Sequence, residues 1–221
     1  GLYNVKPAMF GRTDTLTTWS HKYGDEYSVY NGVLVNMTAR LPGGLTVQGG
    51  VNTGKTVTDN CEVLAKLPEN GPTDPYCHRD PGFVTRITGL GAYTIPRIDV
   101  LVSATFRSDQ GAPLAANYQV PSAEAARTLG RPLAGNVPFV TVNLIEPGAV
   151  WGDRVNDLSV RVAKIVRVGR TRTNIGVDVY NVLNSDAILT YNQQFSPGGR
   201  WLVPTSIMTP RFAKVSASID F

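Results

Sequence analysis

The last eleven residues alternate without a break. Ala213, Val215, Ala217, Ile219 and Phe221 fall on one face, and Phe212, Lys214, Ser216, Ser218 and Asp220 on the other. A repeat of two predicts a β-strand, because successive side chains leave a pleated backbone on opposite sides. The same pattern runs through residues 26–41, where Val29, Asn31, Val33, Val35, Met37, Ala39 and Leu41 share a face. After the Pro42-Gly43-Gly44 turn it returns through 45–53, with Leu45, Val47, Gly49, Val51 and Thr53 on the apolar side. Residues 83–95 read as a strand of loose register, and 98–107 place Ile98, Val100, Val102, Ala104 and Phe106 together. From Arg154 the signal is strongest: Leu158, Val160, Val162, Val166 and Val168 line one face, interrupted by Lys164, and Ile175, Val177 and Val179 resume it. This makes about seven long strands, each oily on one side and wet on the other.

The connections divide into two kinds. Those at 42–44, 96–97 and 169–171 are short and rich in Gly, Pro and polar residues. Those at 58–82, 108–153 and 185–210 are long, as is the aperiodic opening stretch 1–25. Within 108–153, Ser122–Leu129 predicts a short helix capped by Ser122 and stopped by Gly130, and Phe139–Ile145 a short strand. The run Gly49 to Thr56 fits the phosphate-loop spacing G-x-x-x-x-G-K-[ST], but no strand–turn–helix pattern surrounds it. It reads as glycine-rich strand.

Strands with one apolar face, joined by short turns at one end and long loops at the other, predict a transmembrane β-barrel wall. Short turns then lie in the periplasm and the long loops outside the cell. The chain has 221 residues, 42% hydrophobic and 17% charged, with a net charge of +4. That is too mild for a nucleic-acid partner, and no apolar run approaches the ~20 residues of a membrane helix. Mean hydropathy of −0.09 fits barrel strands, whose apolar residues sit at alternate positions. A lysine facing lipid at mid-depth costs ~2–4 kcal/mol, so Lys164 must snorkel or the register must shift there.

Cys61 and Cys77 lie in a loop rich in Pro, Asp and Asn. An oxidising compartment predicts a disulfide between them, worth roughly 3 kcal/mol in the chain-entropy model. His78 beside Cys77 lacks the paired spacing of a zinc site, and no metal or cofactor is expected. The sequence has no G-x-S-x-G or H-E-x-x-H and only two histidines, which argues against an enzyme. Carboxylates at Asp99, Asp157, Asp178 and Asp220 share the polar face with Arg86, Arg107, Arg161 and Arg167, so ion-paired or solvated networks are expected there. Ligand contacts are expected in the long loops, with Trp19, His21, Tyr76, His78, Trp151 and Trp201 as candidates.

Three stretches carry a family resemblance: Arg154–Lys164, Asp178-Val-Tyr-Asn-Val-Leu-Asn184 and Pro210–Phe221. Together they resemble the C-terminal end of TonB-dependent outer-membrane receptors, closest to the Oar-like ones. The Asp178–Asn184 segment is similar to the family's Asn-Leu-Phe-Asn strand signature, with Val182-Leu183 in place of Leu-Phe. The resemblance implies a barrel of about 22 strands, filled by a plug and driven by the TonB complex, importing a scarce nutrient across the bacterial outer membrane. It implies that Val215, Ala217, Ile219 and Phe221 form the signal read by the barrel assembly machinery. Neither a plug nor a TonB-box segment is present in residues 1–221, so the chain is expected to be the C-terminal part of such a barrel, its partners lipid, the remaining wall and the plug. A barrel anchor for a surface or adhesion protein, and a soluble all-β binding domain, are the competing readings.

Overall fold

A computed structural model describes residues 2–220. Seven long strands form one antiparallel meander: β1 (Tyr27–Leu41), β2 (Leu45–Asp59), β3 (Val84–Ile95), β4 (Val100–Asp109), β5 (Val155–Val168), β6 (Thr171–Tyr180) and β7 (Phe212–Asp220). Each pairs only with its neighbours in sequence, apart from the short segment His78–Arg79, which adds to the far end of β2. β1 and β7 are the two edges, and they do not pair with each other.

Directly opposed residues of an antiparallel ladder share a face, so the register shows what each face is made of. One row crosses all seven strands as Ala39, Val47, Gly91, Ala104, Val160, Val179 and Ala213. The next runs Tyr93, Val102, Val162, Val177, Val215. On the reverse face a row reads Arg40, Thr46, Ala92, Ser103, Arg161, Asp178 and Lys214. The separation into an apolar and a polar side therefore holds across the sheet. It also settles β3, whose Ile87, Gly89, Gly91, Tyr93 and Ile95 lie on the apolar side.

Nothing among the described residues covers the apolar face. Val162 is 46% exposed and Val177 44%, although both sit on interior strands. A sheet in water buries one face against another layer, because exposed apolar area costs free energy. The buried apolar residues lie elsewhere: Val63, Leu114, Ala116, Leu133, Ala134, Val142 and Ala187 are in the long connections, and Ala163 and Ile165 are on the polar side of β5.

Several boundaries differ from the sequence reading. β2 runs to Asp59, past the last apolar alternation, because β1 supplies ladder partners as far as Tyr27. The turn after β3 takes in Ile98 and Asp99, with Arg97 and Asp99 at positive φ (72° and 48°), so β4 starts at Val100. Ser122 does not cap the helix Ser122–Leu129: Pro121 holds the cap position, and the Ser122 hydroxyl accepts from the Leu133 amide at 3.1 Å. Gly130 does end it, in the left-handed conformation (φ 73°). The short strand at 139 stops at Asn143, whose side-chain oxygen accepts from Ala116 and Ile145 and turns the chain. Lys164 keeps its place opposite Val100 and Ile175 in an unbroken register, and its ammonium donates to the Ile98 carbonyl in the β3–β4 turn. Its side chain reaches back to the turn, and the register does not shift there.

The phosphate-loop look-alike is strand throughout. Gly49, Gly50 and Gly54 stand opposite Met37, Asn36 and Gly32, and Lys55 is tied to Asp80 at 2.6 Å.

Candidate functional site

The long connections gather at one end of the sheet. Asn117–Pro121 pairs with Phe139–Asn143 on one side and with Gln194–Phe195 on the other, which joins the connections 108–153 and 185–210. A second small hairpin, Ile188–Tyr191 with Pro204–Ile207, projects from the latter. The opening segment is held on by Arg131, whose guanidinium donates to Asn4 Oδ1 (2.9 Å), Asn4 O (3.0 Å) and Val5 O (3.0 Å). The Tyr3 amide donates to Pro72 O at 2.8 Å, which reaches the cysteine loop. That loop contains a short helix, Cys61–Lys66, and a disulfide between Cys61 and Cys77 with Cα atoms 4.8 Å apart.

The six aromatic and histidine candidates are not brought together. Trp19 is 74% exposed beside the turn Ser20–Lys22, and His21 lies exposed in that turn. Tyr76 is half-buried, its amide bound to Asp74 Oδ1 at 3.0 Å. His78 pairs with Asp59, Nδ1 to Oδ2 2.8 Å. Trp201 packs edge-on against Phe195, and its indole donates to Ala115 O at 3.1 Å, which makes it part of the loop packing. Trp151, whose indole donates to Gly148 O at 2.9 Å, is the candidate that borders a groove on the polar face. Phe221 lies outside the described residues. No cluster of three or more metal-ligating side chains occurs among the described residues.

The groove lies where β1–β4 enter the loops. Its main part, about 520 Å3, is lined by Tyr30, Asn52, Gly54, Val84, Arg86, Asp109 and Gln110. An adjoining part of about 480 Å3 shares Tyr30, Gly54 and Val84 and continues under Pro113, Pro147 and Trp151. Asp109 fixes the charge pattern by accepting from Arg86 Nε at 2.5 Å and Arg107 Nε at 3.0 Å. Further along the polar face Arg161 donates to both oxygens of Asp178 (2.9 and 3.1 Å), which also accepts from Ser216 at 3.0 Å, and Arg167 reaches Asp99 at 3.3 Å. These charges form satisfied networks. None is a close carboxylate pair of the kind that moves protons.

The groove residues that sequence reasoning missed are Tyr30, Asn52, Asp109 and Gln110; Arg86 was expected only in a polar-face ion pair, which it makes with Asp109. Their signal was present but weak. Tyr30 stands on the polar face two residues before Gly32, and cross-strand pairing puts Gly54 beside it.

One titration checks the loop lobe. The Tyr118 hydroxyl donates to Glu124 Oε2 at 2.7 Å, and this bond to the neutral phenol holds its pKa above the ordinary 10.0. The stabilising contribution is complete below pH 10.0 and is lost as pH rises through the raised value. In an ultraviolet phenolate titration, Tyr118→Phe should remove a late-ionising tyrosine. An unchanged late phase would contradict the bond.

No family model, curated protein or solved structure matches this chain.

Proposed function

We propose that the chain forms part of the wall, the lumen lining and the extracellular loops of a bacterial outer-membrane β-barrel receptor, one that imports a scarce nutrient in the manner of TonB-dependent transporters. One observation carries this reading: an apolar face seven strands wide, with no protein layer over it, on a meander whose reverse face is polar. Lipid supplies the missing layer. From Val33 to Leu41 on β1 and from Leu45 to Thr53 on β2 the apolar side carries no charge. Nine residues is the length a tilted strand needs to cross a bilayer. Lys55 and Asp59 lie beyond that band, on the loop side.

The edge strands extend the proposal. Unpaired backbone groups cost several kcal/mol each in hydrocarbon, so β1 and β7 pair with further strands, closing a ring of about 22. A plug inside that ring and the TonB complex beneath it would supply the energy-coupled step, and the loop lobe would take ligand from outside. Val215, Ala217 and Ile219, with Phe221, would present the apolar stripe that the assembly machinery reads.

The reading is tested by fractionating cells that make the protein. It should remain in outer membranes washed at alkaline pH and come free only in detergent. Release into buffer as a monodisperse species would overturn it.

A further inference from the structure

We propose that the groove at the loop end of the polar face binds an uncharged carbohydrate unit, stacked on Tyr30. The inference deepens the receptor reading and rests on it only for the groove's place at the outer mouth.

Tyr30 is held like a platform. The tip of its ring lies across the cross-strand pair Gly32 and Gly54: a Cβ at Gly32 would come within 2.7 Å of the ring's Cζ, and one at Gly54 within 2.6 Å. Only glycine at both positions lets the ring lie down against the backbone. Standing on the edge strand β1, the residue is 62% exposed, and it lines the groove.

The surroundings select the ligand. Asn52 and Gln110 each carry amide donors and an acceptor, Asp109 carries acceptors and Arg86 donors. A hydroxyl is both donor and acceptor, so a polyol can bond the Asn52 amide and share the groups of the Arg86–Asp109 pair, which an apolar molecule cannot. An anion is disfavoured because each cation lining the groove is already engaged: Arg86 by Asp109 (2.5 Å), Lys55 by Asp80 (2.6 Å) and Arg79 by Asp74. The apolar face of a pyranose ring lies flat on an aromatic one, as bases do on aromatic side chains. A volume of about 520 Å3 falls within the range of small-ligand clefts.

The test is calorimetry and saturation-transfer NMR on the full chain in detergent. Neutral probes are maltotriose, cellotriose, laminaritriose and mannotriose, with trigalacturonate as the anionic probe. At least one neutral trisaccharide should bind, Tyr30→Phe should retain it, and Tyr30→Ala should weaken it about tenfold or more, the size of a lost stacking contact. Asn52→Ala, which leaves the ring and its glycine bed untouched, should also weaken binding, and it serves if Tyr30→Ala fails to fold. The proposal is overturned if no neutral probe binds at about 10 mM, if only trigalacturonate binds, or if binding survives Tyr30→Ala in folded protein. Sugar failure in a protein that still needs detergent sinks the ligand class alone. Tyr30-dependent sugar binding in a protein that dissolves without detergent sinks the membrane reading alone.

Discussion

Val160→Arg is expected to destabilise the folded protein in a bilayer by ~2–4 kcal/mol, the cost of a cation on the lipid side near mid-depth. Val160 stands opposite Ala104 and Val179, four pairs from the Lys164 rim, with apolar neighbours along its row. The same substitution one row away on the other face, Thr105→Arg, should change stability by less than about 1 kcal/mol, since Thr105 faces Leu90 and Ser159 on the wetted side. The measurement is a shift in the urea midpoint of the protein folded into phospholipid vesicles. Equal costs for the two variants would mean that the faces meet the same environment, and the membrane account would lose its basis.

Asn181→Ala should cost about as much for a different reason, roughly 4 kcal/mol. Asn181 is 3% exposed and follows the last residue of β6. Its Nδ2 donates to Ser185 O (2.9 Å) and Thr209 O (2.8 Å), and its Oδ1 accepts from the Ser185 amide (2.9 Å). Three such bonds contribute about 1 kcal/mol each. The residue also sits at φ 48°, where alanine is worse by about 1–2 kcal/mol. Asn181→Gly keeps the backbone at ease and loses only the bonds, so it should cost about 1–2 kcal/mol less than alanine. If glycine and alanine cost the same, the left-handed backbone contributes nothing.

That residue explains part of the sequence signature physically. In Asp178-Val-Tyr-Asn-Val-Leu-Asn184, Asp178 holds Arg161 and Ser216 across the polar face, and Asn181 clamps Thr209. Asn184, also at positive φ (51°), accepts from the Arg211 amide at 3.0 Å. The two asparagines fasten the exit of β6 to the entry of β7, bridging the long 185–210 connection. The sequence shows only that this segment resembles a known strand signature. The reason for it appears only when Thr209 and Arg211 are seen returning beside it.

How much was legible follows from what each element answers to. β1, β5, β6 and β7 could be read because a period of two shows wherever the two sides of a strand meet different surroundings. The far half of β2 could not. Beyond Thr53 the apolar side carries Lys55 and Asp59 around Val57, and backbone pairing with β1 and with His78–Arg79 keeps the strand going. The start of β4 was misplaced because Ile98 continues the apolar alternation while the backbone at Arg97 and Asp99 has left the extended region. The helix Cys61–Lys66 and the hairpin of Ile188–Tyr191 with Pro204–Ile207 are too short to set a period. The groove was least legible. It is assembled from β1, β2, β3 and β4 together with two loops, and its central residue is marked in sequence only by a glycine two positions on.

The central claim is that the two faces of this sheet meet lipid and water. Nitroxide labels placed one at a time along β7, from 213 to 219, in the full chain in phospholipid vesicles, would read this residue by residue through accessibility to oxygen and to a water-soluble nickel chelate. The account predicts strict alternation, with oxygen favoured at Ala213, Val215, Ala217 and Ile219 and nickel at Lys214, Ser216 and Ser218. Uniform access to nickel at all seven positions would contradict it.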